Sequence, residues 1–310
     1  MATFRQPLVI NNTTPIPLAN TTGQTMTFVH PGNLRLHNTS FKVKVNGAPA
    51  TRAQIEAIIT RVQYRFGSAI FRDFTPFQRG IMQDIRGLKQ VAGVFTEHYS
   101  DPMAAAPLGH ELTAWDLITT RIPQFDIVLT IDRVNAAGSG PTNAVEIECI
   151  SSFDQVANIN TQNGAFAGRF EALKSFGSQL VAGTEQSNFL LPRTNPFARL
   201  WIFLAAGETG NLPTRVQIRR NKVKIYDFKQ TAADPELANE LAKFGLAPKL
   251  KGDGTVDQVW PVILNPNGFV SDFLEITPLD TLELITNIPG TTSPRVEFMV
   301  EQFFGGPAAV

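Results

Sequence analysis

Several stretches of the chain alternate apolar and polar residues at period two. Phe41, Val43 and Val45 fall on one side of an extended segment with Lys42 and Lys44 on the other, and Ile127, Leu129 and Ile131 oppose Val128, Thr130 and Asp132. Leu282 and Leu284 flank Glu283, and Val296 and Phe298 flank Glu297. One apolar phase at period two is what a half-buried strand of an antiparallel sheet requires. Turn-forming residues punctuate the intervals, so the pattern predicts a chain of many short strands. A few helices are inserted between them. Thr51-Arg-Ala-Gln54 has the form of a capping box ahead of Ile55, Ile58 and Ile59. Thr75-Pro76-Phe77-Gln78 repeats that chemistry, with Pro76 suited to the first helical position and Ile81, Met82 and Ile85 behind it. Asp234-Pro235-Glu236 opens a third helix through Leu237, Leu241 and Phe244, stopped by Gly245, and Phe170 to Leu180 has a fainter helical pattern.

The chain also echoes itself. Thr60-Arg61-Val62-Gln63-Tyr64-Arg65 returns as Thr214-Arg215-Val216-Gln217-Ile218-Arg219, nearly half a chain length later, and the gapless match continues to Asp73-Phe74 against Asp227-Phe228. In each copy apolar residues alternate with Arg and Gln, and the turn holds a residue that tolerates positive φ, Gly67 or Asn221. Ala69 and Phe71 match Val223 and Ile225 on the return strand, and a Pro-initiated helix follows at Pro76 and at Pro235. Upstream lies an apolar strand ending in Gly (Phe41 to Gly47, Leu200 to Gly207). Downstream lie Ala144-Val-Glu-Ile147 and Arg295-Val-Glu-Phe298. Four features in one order read as two copies of one β domain, with the boundary near Ser151 to Ala165.

Composition supports this layout and narrows the function. The 310 residues are 43% hydrophobic, enough for a large core, and the 23 Gly and 21 Pro are spread through the chain. Charged residues make up 17%, below the roughly 25% of an average soluble protein. Lys+Arg and Asp+Glu are 27 each, so the net charge is zero, which argues against nucleic-acid gripping as the main task. A neutral, sparsely charged surface favours self-association. The single cysteine, Cys149, sits among Val145, Ile147 and Ile150 and reads as a core filler. No apolar run nears the roughly 20 residues of a membrane span, and the start of the chain lacks the pattern of a secretory signal. The sequons at Asn11, Asn12, Asn20 and Asn38 therefore read as polar loop chemistry.

Residue types that carry chemistry do not assemble into a motif. His30, His37, His98 and His110 have no metal-ligand spacing and read as solvated loop residues. Gly207-Glu-Thr-Gly210 lacks the lysine of a phosphate cradle, and Lys251-Gly-Asp-Gly-Thr-Val-Asp257 lacks the alternating oxygen ligands of a calcium loop. No catalytic, cofactor-binding or metal-binding residue is expected, and no cofactor. Arg215, Arg219, Arg220, Lys222 and Lys224 form the densest basic group and read as the solvated face of a hairpin, or as a contact to a neighbouring subunit or lipid headgroups.

Two tandem β domains, each with a Thr-Arg-Val-Gln-[Tyr/Ile]-Arg-x-[Gly/Asn] hairpin followed by a helix, resemble the double jelly-roll major capsid proteins of tailless icosahedral viruses with an internal membrane, especially the small bacteriophage members. The segment Ser293-Pro-Arg-Val-Glu-Phe-Met-Val-Glu-Gln-Phe303 is also similar to the last strand of such proteins. The resemblance implies two tandem eight-stranded antiparallel jelly rolls, at residues 26–155 and 156–310, after an N-terminal arm at residues 1–25. It further implies a homotrimer of pseudo-hexagonal outline that tiles an icosahedral shell, with neighbouring trimers, the internal viral membrane and minor capsid or penton proteins as partners. The expected location is the virion, assembled in the host cytoplasm, and no direct nucleic-acid binding or enzymatic activity is expected. Two other readings compete. An enzyme on a duplicated jelly roll, as in two-domain cupins, needs a His-x-His that neither half supplies. A tandem sandwich or viral spike that binds carbohydrate or a cell surface needs exposed aromatic faces. The chain has three Trp and three Tyr, and Trp115, Trp201 and Trp260 sit in apolar contexts typical of a core.

Overall fold

The structure is a computed structural model that describes residues 6–16, 23–31, 34–85, 88, 90–99, 114–117, 124–132, 144–155, 170–179, 185–191, 197–204, 213–229, 259–264, 279–287 and 295–304. The chain divides into two compact units, Met1–Gly80 with Lys89–Glu171 and Phe304–Val310, and Ile81–Leu88 with Ala172–Phe303. The first unit carries β1 (Gln6–Ile16), β2 (Gln24–Pro31), β3 (Arg35–Val45), the short β4 (Ala48–Pro49), β5 (Ile59–Phe66), β6 (Ala69–Phe74), β7 (Val94–His98), the short β8 (Trp115–Asp116), β9 (Gln124–Ile131) and β10 (Val145–Asp154). One sheet runs β1-β10-β3, with β4, β7 and β8 also paired to β3, and the other runs β6-β5-β9-β2. Successive long strands thus cross between two sheets, as a jelly roll requires.

The alternation read from sequence sets which face is inside. On β3 Phe41, Val43 and Val45 are buried while Lys42 and Lys44 are exposed. They meet Cys149, Ile147 and Val145 of β10 in antiparallel register. The two sheets pack through aromatic contacts, Phe28 of β2 against Phe41 of β3 (centroids 6.0 Å apart) and Phe74 of β6 against Phe95 of β7 (6.2 Å). Cys149 is fully buried, and burial pushes its thiol well above the ordinary range. That is the behaviour of a small apolar residue.

Among the described residues there are two helices, both capped as their sequences dictate. Thr51 and Gln54 exchange side-chain and backbone hydrogen bonds (2.8 and 3.2 Å) at the start of α1 (Arg52–Ile58). Thr75 and Gln78 do the same (3.0 and 3.1 Å) at α2 (Pro76–Ile85). Each reciprocal cap satisfies donors that the first helical turn leaves open.

The second unit carries β11 (Phe170–Gln179), β12 (Glu185–Leu190), β13 (Phe197–Leu204), β14 (Arg215–Arg220), β15 (Val223–Lys229), β16 (Val259–Ile263), β17 (Leu282–Asn287) and β18 (Arg295–Phe304). Its sheets run β16-β13-β18-β11 and β12-β17-β14-β15. This is the order of the eight longer strands of the first unit; the short β4 and β8 have no counterpart among the described residues. Leu200, Trp201, Ile202 and Phe203 on β13 and Val296, Phe298, Met299 and Val300 on β18 are fully buried. The Trp260 indole N–H of β16 donates to the Tyr226 hydroxyl of β15 at 3.4 Å, tying this unit's two sheets together.

Three expectations are corrected. The stretch assigned to an N-terminal arm holds β1, which pairs along β10 from Gln6↔Phe153 to Ile16↔Val145. Its prolines do not prevent this pairing, because an outer strand tolerates proline. Phe170 to Leu180 holds strand β11 rather than a helix, because its partner strand overrides a weak local pattern. Asn11, Asn12 and Asn38 lie on strands, not loops. The Asp234–Gly245 helix and Asn20 lie outside the described residues.

If β1 is integral to the first unit, a chain lacking residues 1–23 leaves β10 unpaired along one side. Its first thermal transition should fall by more than about 5 °C, whereas a detachable arm would leave calorimetric melting unchanged.

Candidate functional site

The element that marks both halves is the hairpin, β5–β6 in the first unit and β14–β15 in the second. In the first, Val62 pairs Phe74, Gln63 pairs Asp73 and Tyr64 pairs Arg72. The register then slips, so that Arg65 pairs Ile70 and Phe66 pairs Ala69. In the second, Val216 pairs Phe228, Gln217 pairs Asp227 and Ile218 pairs Tyr226, and the same slip brings Arg219 to Lys224 and Arg220 to Val223. Phe71 and Ile225 are thus the bulged residues of equivalent bulges. The turns differ in detail. Gly67 takes positive φ (58°) in the first hairpin, and both Asn221 (51°) and Lys222 (69°) do in the second.

Over the outer face of each hairpin runs the same polar ladder. Arg61 donates to Asp73 (2.7 Å), Gln63 donates to Asp73 (3.3 Å), and Arg65 donates to Gln63. Arg215 forks onto both oxygens of Asp227 (2.9 Å each), and Arg219 donates to Gln217 (3.0 Å). Thr60 and Thr214 each donate to a carbonyl of the next strand, of Thr130 (3.2 Å) and Asn287 (3.3 Å). The Arg215 guanidinium, then Lys224 and Gln217, hold the Asp227 carboxyl well below the usual range against the opposing effect of burial. Arg61 is 53% exposed, so its pair contributes under about 1 kcal/mol. The ladder pins register more than it adds stability.

Behind the bulges the two hairpins diverge. Arg72 in the first unit is fully buried and bonds Glu97, also fully buried, and the carbonyl of His98 (3.0 Å). Arg79 closes on the second Glu97 oxygen at 2.7 Å. Two guanidiniums thus share one buried carboxylate, and the Arg72 guanidinium lies over the rings of Trp115 (4.7 Å) and Tyr99 (5.4 Å). The equivalent position in the second unit is Tyr226. A second buried cluster joins Arg35 and His37 of β3 to Asp154 of β10, with His37 at 2.7 Å and Arg35 at 2.7 to 3.1 Å.

These clusters were hidden by residue type but not by phase. Glu97 lies between Phe95 and Tyr99 at period two, and Arg35, His37 and Thr39 continue the phase of Phe41 and Val43. The same phase carries His30 and His37 inward, so neither is the solvated loop residue expected of it. His98 is half-buried on β7, and His110, Gly207–Gly210 and Lys251–Asp257 lie outside the described residues. The basic group around Arg215 is not brought together as a free patch, because Arg215 and Lys224 share Asp227 while Arg220 bonds Asp280 (2.7 Å).

No protein-family model and no curated protein matches the chain. Solved structures do. The major capsid protein P2 of bacteriophage PM2 is similar over 97% of this chain and 98% of that one, with a TM-score of 0.70 and 17% identity. The STIV MCP is similar over 97% and 96% (TM-score 0.67, 9% identity), and the Faustovirus major capsid protein over 98% and 90% (TM-score 0.59, 8% identity). The chain has the double jelly-roll fold. At these identities the likeness lies in the backbone, which is where the two units of this double jelly roll also agree with each other.

Two measurements check the energetics. Glu97→Ala leaves Arg72 and Arg79 buried without their anion, and urea unfolding followed by Trp115 fluorescence should show a loss of about 3–5 kcal/mol; a loss below about 1 kcal/mol would contradict the buried-cluster description. Double-mutant cycles on Arg61/Asp73 and Arg215/Asp227 should give favourable couplings of about 0.5–1 kcal/mol that agree within a few tenths.

Proposed function

We propose that the chain is a major capsid protein whose copies form pseudo-hexagonal homotrimers that tile an icosahedral shell around an internal membrane. The observation that carries this reading is the pair of jelly rolls with matching strand order and register, together with likeness to viral capsid proteins across 97% of the chain. A subunit with two near-equivalent modules gives a trimer six similar sides, which suits a hexagonal net. The neutral, sparsely charged composition fits dense packing against like copies.

On this reading each jelly roll is one domain, the chain performs no catalysis, and its partners are neighbouring trimers, minor capsid or penton proteins and the internal membrane. Its place is the virion, after assembly in the host cytoplasm. Direct genome binding is not part of the proposal, since net charge is zero and Arg215, Lys224 and Arg220 of the densest basic group pair with Asp227 and Asp280. The competing sugar-binding or spike reading loses support from burial. All three Trp and all three Tyr of the chain are at most 8% exposed, which withdraws the aromatic faces that carbohydrate stacking uses.

Size-exclusion chromatography with light scattering should give three times the 34.0 kDa chain mass, and electron microscopy should show shells or flat hexagonal sheets. A monomer that forms neither in any salt or pH would overturn the proposal.

A further inference from the structure

All four histidines of the chain belong to the first unit, so the side chains that ordinarily titrate between pH 5 and 8 are confined to one half. His30 is fully buried on β2 and sits inside a relay of hydroxyls. Its Nε2 lies 2.6 Å from the Ser151 hydroxyl of β10, which lies 2.6 Å from the Thr39 hydroxyl of β3, which accepts the hydroxyl of Tyr99, just past the end of β7, at 2.7 Å. On its other side the ring stacks on Phe125 of β9 at 4.3 Å, and Phe125 in turn stacks on Tyr64 of β5. The relay therefore ties strands of both sheets together through one imidazole.

Among the described residues, the groups that contact that imidazole are the Ser151 hydroxyl, the Phe125 ring and the Phe28 backbone, none of them charged. The titratable and charged groups of the surrounding strands make contacts of their own: Arg35 and the His37 ring with Asp154, and Arg72 and Arg79 with Glu97. A proton on His30 would place a cation among hydroxyls and an aromatic ring. Burial accordingly lowers its pKa from 6.5 to about 3, against a raising effect of the Phe28 backbone. The depressed value fixes the sign. The folded unit keeps His30 neutral while the opened unit takes up a proton below pH 6.5, so the stability that His30 contributes is complete above 6.5 and is lost as pH falls toward 3. The second unit contains no histidine, and its buried Glu301 is held by Arg199 and Trp201.

We propose that mild acid opens the first unit of the chain while the second stays folded, with the buried His30 relay as the trigger. One proton taken up on opening raises the open fraction about tenfold for each pH unit below 6.5. In a shell, this would make acid a release signal acting on one jelly roll of every subunit. That consequence rests on the capsid reading, whereas the acid response of the chain does not.

The test is hydrogen exchange with mass spectrometry on the intact chain from pH 7.5 to 4.5, corrected for intrinsic exchange. Peptides covering β2, β3 and β10 should lose protection about tenfold per pH unit below 6.5, while peptides covering β13, β14 and β18 stay protected to pH 5. Equal loss in both units, or earlier loss in the second, overturns the proposal. His30→Gln and His30→Phe remove the titrating ring, and either variant that folds at pH 7.5 should flatten the first-unit slope; an unchanged slope overturns the assignment to His30. If neither folds, the wild-type contrast decides. Shell formation at pH 7.5 is scored separately, so a chain with a unit-selective acid response that never assembles refutes the capsid reading and leaves this one standing.

Discussion

Each unit is closed by the pairing of an inner strand with a strand from the far end of the same unit. In the first unit β3 meets β10, joining Arg35 to Asp154 across 119 positions of sequence. In the second, β13 meets β18 in the same sense, from Leu204↔Val296 to Phe197↔Gln302. Register here decides everything else, because a slip of one residue would turn Lys42 and Lys44 inward and put Phe41, Val43 and Val45 in water. Burying those three side chains stabilises by roughly 1.5–3 kcal/mol each, far more than any surface pair on the hairpin ladder. Long-range closure of this kind is slow to find, and the two local hairpins with their polar ladders supply early, self-contained structure.

On that shared backbone the two cores are filled differently. The equivalent bulges turn Arg72 inward in one unit and Tyr226 in the other. In the second unit the result is a Trp260–Tyr226 hydrogen bond between sheets; in the first it is a desolvated Arg–Glu–Arg cluster whose Arg72 lies against Trp115 and Tyr99. A buried cluster of this sort is not a cheap way to stabilise a core, since desolvation offsets much of the Coulomb attraction. It does make the interior intolerant of losing any one member. With His30 and His37, it concentrates ionisable groups in one half of a protein whose halves otherwise share a plan.

Much of this was legible in the sequence. Period two marked β3, β9, β17 and β18, two capping boxes marked the helices at Thr51 and Thr75, and the echo between Thr60–Phe74 and Thr214–Phe228 marked the duplication together with its register. Failures arose where the interior is polar or where a partner outweighs local preference. His30 and His37 read as solvated by residue type, and Glu97 carries no apolar signature, although each keeps the apolar phase of its strand. Residues 6–16 fall within the expected N-terminal arm, yet they form β1 because β10 offers an edge for pairing. Phe170–Gln179 became a strand for the same reason.

A capsid role asks of this chain two like modules, and two like modules is what equal register supplies. The most direct check places cysteines at Gln63/Asp73 and at Gln217/Asp227 in the otherwise unchanged chain, whose own Cys149 is buried, and maps the disulfides formed under mild oxidation. Both pairs should cross-link rapidly, while the shifted pairs Gln63/Arg72 and Gln217/Tyr226, whose side chains leave opposite faces, should not. A cross-link in one half with none at the matching place in the other would contradict the description of the chain as one sandwich built twice.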